Sequence, residues 1–250
     1  MERRKMTLPR KNSTAISLFL ALFLFVFATP AMAGAVAGTV THVSGPLFAL
    51  KGDGTRKALS QKSSVEAGDT LITEKRTYAR IKFIDNSEVT LRPGSQLVVE
   101  NFSYDKKKPE QDSAVFNLVK GGLRAVSGNV GKRGDKDSYK MNTLSATIGI
   151  RGTHYGASHC TNDCGKLPSG LYVDVADGSI VVSNQGGQKV FDAGQFGYVP
   201  DSGTPPVSLP KDPGIGKSAA GDTASRIESR AGGTGQGGLR SALTPEERCG

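Results

Sequence analysis

Side-chain polarity in this chain alternates with a period of two, and that pattern constrains the fold more than any other feature. Ala79, Ile81 and Phe83 alternate with Arg80 and Lys82. Asp85-Asn86-Ser87 then turns the chain into Val89 and Leu91, which alternate with Thr90 and Arg92. Successive side chains of a strand point to opposite faces, so the spacing predicts a hairpin with one apolar and one wet face. Pro93-Gly94-Ser95 marks the next turn, and Leu97 with Val99 resumes the pattern. Ala114, Phe116 and Leu118 continue it after a lysine-rich loop, Asp105 to Asp112, whose carboxylates read as solvated charge,. Val173 and Val175 lead through Asp177-Gly178 into Ile180 and Val182, and Asn184 to Gly187 turns toward Val190. Turn signals at about 8 to 15 residues, with no amphipathic helical period between residues 38 and 200, predict an all-β domain of short antiparallel strands, either a β-sandwich or a β-solenoid,.

The two ends of the chain do not share this pattern. Arg3, Arg4, Lys5, Arg10 and Lys11 precede an apolar run, Ile16 to Ala28, which holds four of the ten phenylalanines. Pro30 and the triplet Ala31-Met32-Ala33 follow. A basic segment, an apolar centre and a small-residue site in that order predict a signal peptide over residues 1–33, cleaved after Ala33. The run is shorter than a membrane span and leaves no stable span after cleavage,. The net charge of +9 then falls to +5, because five basic residues and one acidic residue leave with the peptide; this is too dilute to indicate nucleic acid,. From residue 201 to 250 the chain holds ten glycines, five prolines and six serines and no aromatic residue, so it is expected to be a disordered tail,. The folded domain is expected over residues 36–200.

Export to the periplasm or medium changes the meaning of the three cysteines. Cys160 and Cys164 stand four apart in a polar loop, and an oxidising compartment favours a local disulfide between them,. The competing arrangement is a metal site with His154 and His159 as further ligands, although the spacing is not that of a zinc finger. Cys249, next to the last residue, reads as an incidental thiol. Gly233 to Gly238 fits G-x-G-x-x-G literally, yet no strand precedes it and no helix follows. Gly216-Lys217-Ser218 lacks the first glycine of a phosphate loop, and no G-x-S-x-G occurs,. The sequence therefore supplies no catalytic residue, metal or cofactor site.

The most distinctive segment runs from Asn142 to Tyr155. Its core, Ala146 to Thr153, is preceded by Gly68-Asp69-Thr70-Leu71, by Phe83 with Asp85 and Ser87, and by Ser113 to Phe116 with Gly121, Leu123, Arg124, Ala125, Val126 and Ser127. In that order these pieces resemble the FecR domain, over roughly residues 66 to 155, with flanking strands from about 38 to 200,. The resemblance implies an all-β periplasmic signalling module. In the regulators that name the family, a cytoplasmic anti-sigma segment precedes one membrane helix, and the periplasmic part receives a signal from an outer-membrane iron transporter. This chain departs from that plan, since only 15 residues precede its apolar run. It is more similar to the soluble exported members.

The family-motif residues are Thr147, Gly149, Arg151, Gly152 and Thr153, together with Gly121 and Arg124. Gly149 and Gly152 permit a sharp bend or the close approach of another backbone. Ile148 and Ile150 share one face and Thr147, Gly149 and Arg151 the other,. Arg151, like Arg124, reads as a cation that pairs with a nearby aspartate and fixes the bend; the alternative is a partner's carboxylate. The function expected is a non-catalytic binding or signalling-accessory module acting through an envelope protein partner. The alternatives are an envelope enzyme and a carbohydrate-binding or structural envelope protein.

Overall fold

The structure, a computed structural model, describes residues 34–133 and 137–215. The expected signal peptide and residues 216–250 of the expected tail lie outside them.

Along the chain the strands are β1 (Val36–Val43), β2 (Leu47–Leu50), β3 (Arg56–Leu59), β4 (Ser64–Glu66), β5 (Thr70–Thr73), β6 (Ala79–Phe83), β7 (Glu88–Leu91) and β8 (Gln96–Ser103). They continue as β9 (Ser113–Val126), β10 (Tyr139–Thr143), β11 (Thr147–Cys160), β12 (Gly170–Asn184), β13 (Gly187–Asp192), β14 (Phe196–Val199) and β15 (Val207–Leu209). The alternating segments are strands as expected. Asn86, with φ 68°, and Gly94, with φ 69°, take the left-handed conformation at the two turns flanking β7,.

Most strands are short, but β9, β11 and β12 run for 14, 14 and 15 residues, and each changes partners halfway. The first half of β9 pairs with β8 and, in parallel, with β10; its second half pairs with β7 and β11. Residues 147–151 of β11 pair with residues 179–183 of β12, and residues 154–160 pair with residues 170–177, with a bulge between. The ladder therefore divides into two sheets. Sheet I runs β3-β2-β5-β8-β9-β10-β11-β12-β13, and sheet II runs β4-β1-β6-β7-β9-β11-β12-β14-β15. Asp177-Gly178 is accordingly not a turn between two strands. It is the bend inside β12.

Alternation along most of the strands places one apolar set between the sheets,. Phe83 of sheet II stacks on Phe102 of sheet I at 4.9 Å and meets the edge of Phe116 at 5.2 Å,. Tyr139 and Tyr155, from opposite sheets, bring their hydroxyls to 2.7 Å in the core, where burial pushes both phenols up from their usual range,. The core contains no tryptophan, and these stacked rings fill its centre.

Two expectations change. The domain does not end at residue 200: β15 pairs with β14, and Asn184 Nδ2 donates to the Asp201 and Thr204 carbonyls, so the ordered chain continues to Ile215. Asp112 is not solvated charge either. Its side chain is buried against Arg133 at 3.0 Å, and Arg133 also donates to the Asp105 and Lys106 carbonyls, closing the lysine-rich loop.

Candidate functional site

The family-motif residues divide into those that build a corner and those that the corner displays. Where the three long strands pass from sheet I to sheet II, Gly121, Gly152 and Gly178 have φ of 77°, 56° and 71°. Gly178 is the tightest of these: a Cβ there would collide with the Gly152 carbonyl oxygen, so the β11 and β12 bends nest only without a side chain,. Thr153 ties the corner together. Its hydroxyl donates to the Ser179 carbonyl and accepts from the Arg151 amide, while its own amide donates to Ser127 Oγ, and the Ser127 amide returns to the Thr153 carbonyl. Gly149, by contrast, has no positive φ, and a Cβ there would make only an ordinary contact with the Val181 carbonyl oxygen at 3.9 Å.

Arg151 does not fix the bend. It is exposed, and no hydrogen bond or ion pair of its guanidinium occurs among the described residues. The reason lies in parity. Ile148 and Ile150 point into the core, so Thr147, Gly149 and Arg151 face outward from sheet I. Across the ladder they lie beside Ser183, Val181 and Ser179 of β12 and then Gln188, Val190 and Asp192 of β13. The result is an outward strip with Val190 54% exposed, beside β13, which pairs only with β12 among the described residues and so forms the edge of sheet I. Thr147 Oγ1 donates to Asn142 Oδ1 and anchors one end of the strip.

A second polar surface occupies the outer face of sheet II. Arg124 pairs with Asp174 at 2.8 Å, and its other terminal nitrogen lies 3.3 Å from His154 Nε2. Gly156 stands between them in the ladder, and a Cβ there would collide with the Asp174 carboxylate. Arg92 lies alongside and donates to Ser158 Oγ at 3.1 Å. Burial pulls the Arg92 guanidinium below its ordinary value, with Asp174 opposing that shift,. Tyr172 packs on Tyr198, and their hydroxyls donate to the Pro168 and Ser169 carbonyls. Sequence reasoning singled out only Arg124 and, as a candidate metal ligand, His154 from this surface. Arg92, Ser158, Tyr172 and Asp174 assemble through strand register between distant segments, which no local pattern carries.

Cys160 and Cys164 are joined in a disulfide that closes the loop after β11. Bonded sulfurs offer no thiolate pair to a metal, so the arrangement with His154 and His159 gives way. The two histidines also face apart: His154 joins Arg124 on the outer face, whereas His159 is buried with Nδ1 unpartnered. Burial lowers the His159 pKa, with Asp163 opposing.

The fold and these sites define an all-β module in which the Thr147–Thr153 motif shapes a sheet corner and presents a surface. Residues 69–181 match the family described as FecR protein, so this stretch of the chain is a FecR domain. Two solved structures, each titled a "putative anti-sigma factor" from Parabacteroides distasonis ATCC 8503, align at 12% and 11% identity with TM-scores of 0.45 and 0.44. Each alignment covers 58% of this chain and 61% of the other, so the chain spans about three-fifths of their length. A structure titled "Cell surface anchoring domain" aligns over 25% of this chain and 83% of its own, at 22% identity and TM-score 0.25. No curated protein matches the chain. No helix among the described residues is long and apolar enough to cross a membrane.

Proposed function

We propose that the chain is an exported, periplasmic, non-catalytic FecR-domain module that works by binding a protein partner in the bacterial envelope. The observation that carries this reading is the split within the motif: Ile148, Ile150, Gly152 and Thr153 are consumed by the fold, whereas Thr147, Gly149 and Arg151 form an outward strip beside Val190. An outward strip with one cation that has no ion pair among the described residues, an exposed valine and a strand edge suits a partner that brings a carboxylate and an extended backbone,. The disulfide fits the oxidising compartment that a cleaved signal peptide implies,.

Two measurements test the reading. Amino-terminal sequencing of protein recovered from the periplasm or medium should start at Gly34; recovery of full-length protein from the cytoplasm overturns the localisation. A photo-crosslinking residue at position 151, introduced in the producing cell, should yield one discrete envelope adduct that the same residue at position 57, on β3, does not. Identical patterns from both positions overturn the strip as the binding surface.

A further inference from the structure

Beyond β15 the chain does not leave the domain. Residues 210–215 turn back over the outer face of sheet II, and the Ile215 carbonyl accepts a hydrogen bond from Arg92 Nη1 at 2.9 Å. Asp212 folds locally, its carboxylate accepting from the Gly214 amide at 2.7 Å, and it attracts the Arg92 guanidinium electrostatically. Asp212, Pro213 and Ile215 thereby roof a recess of about 10 Å³ floored by Arg92, Ser158, Tyr172 and Asp174, with room for about one water molecule,.

Arg92 is the unusual member of this arrangement. Largely buried guanidinium groups are ordinarily matched to a carboxylate, since desolvating a charge is costly. Here Asp174, which lines the same recess, is paired with Arg124, and among the described residues the Arg92 hydrogen bonds go to two neutral oxygens, Ser158 Oγ and the Ile215 carbonyl. The occupant it holds is thus a turned main-chain segment, with Gly214 at φ 79° and an acidic side chain nearby. Past Leu209 that segment joins no strand ladder among the described residues, and Asp212 and Gly214 are exposed.

We propose that this groove on sheet II is a docking site for an acidic, turn-forming peptide of a partner protein, and that the chain's own Asp212–Ile215 segment is its resident, displaceable occupant. The inference rests on the reading of the chain as a partner-binding module, but uses a different surface from the strip at Arg151. The resident segment sets a threshold. A partner peptide must compete with a tethered one, whose effective concentration is in the millimolar range.

The chain contains no tryptophan, so Ile215→Trp gives the full-length protein a single fluorescent reporter on the segment. Its anisotropy is followed while a blocked peptide of sequence Asp-Pro-Gly-Ile is titrated to several millimolar, with Asn-Pro-Gly-Ile as control. The acidic peptide should lower the anisotropy and the asparagine peptide should do so less. Arg92→Gln should raise the released fraction about ten-fold without peptide and abolish the response. Asp212→Lys alters only the exposed segment and should also release it, which keeps the test readable if Arg92→Gln fails to fold. An anisotropy indifferent to the acidic peptide and to Asp212→Lys overturns the proposal. Loss of the position-151 adduct while the peptide response persists counts against the functional reading alone, and the converse counts against the groove alone.

Discussion

Strand β11 carries one polar, glycine-containing region and leads directly into another, and the two differ in kind. At the corner, Gly152 and Thr153 are locked by the Gly178 backbone, by Ser127 and by the Ser179 carbonyl, so the same few atoms satisfy three strands at once. Beyond Cys160, the loop 161–169 is mostly exposed and closed by a disulfide of sequence separation 4. The first region specifies how the two sheets join. The second trims a loop that the strands would hold without it.

That contrast is breakable by substitution. The largest effect should come from Gly178→Ala, which adds a Cβ against the Gly152 carbonyl at φ 71°: a loss of about 3 kcal/mol in urea-induced unfolding,. A loss near zero would show that the corner is not tight. Thr153→Val keeps the shape but strands the Arg151 amide and the Ser179 carbonyl, and should cost about 2 to 3 kcal/mol, whereas Thr153→Ser should cost far less,. Replacing Cys160 and Cys164 by serine should cost no more than about 2 kcal/mol and leave the far-ultraviolet circular dichroism unchanged, because so short a loop gains little from closure,. Collapse of the β signal would place the loop on the same footing as the corner.

A smaller effect is expected from pH. Burial holds the folded His159 pKa below its ordinary 6.5, so the unfolded chain takes up the proton first,. The His159 contribution should be constant above pH 6.5 and decline as the pH falls below it, and His159→Gln should flatten that part of the profile,. An unchanged profile sinks the assignment. The smallest effect belongs to Arg151→Ala, within about 0.5 kcal/mol, since its guanidinium has no hydrogen bond or ion pair among the described residues,. A larger loss would mean that Arg151 belongs with the corner after all.

The faces of the strands were legible from residue type because burial imposes a period of two: Ala79, Ile81 and Phe83 are buried, and Thr147, Gly149 and Arg151 face out,. The bends were only half legible. Gly152 reads as a bend because the motif draws attention to it, but Asp177-Gly178 looks like an ordinary turn, and nothing local says that a strand continues through it. The Arg92–Ser158 contact was out of reach, since it joins residues 66 apart through register. The path beyond residue 200 was hidden by composition: glycine and proline suggest a free tail, yet residues 207–209 pair with β14 and the Ile215 carbonyl finds Arg92.

Three strands that belong to both sheets also have a mechanical meaning. In a sandwich held only by side chains, one layer can slide over the other for the cost of rearranged apolar contacts. Here β9, β11 and β12 act as continuous rods passing through both layers, so sliding requires whole rows of backbone hydrogen bonds to break together,. A tug on the β13 edge is therefore delivered to the far side of the domain by covalent chain, and the module moves as a single stiff body.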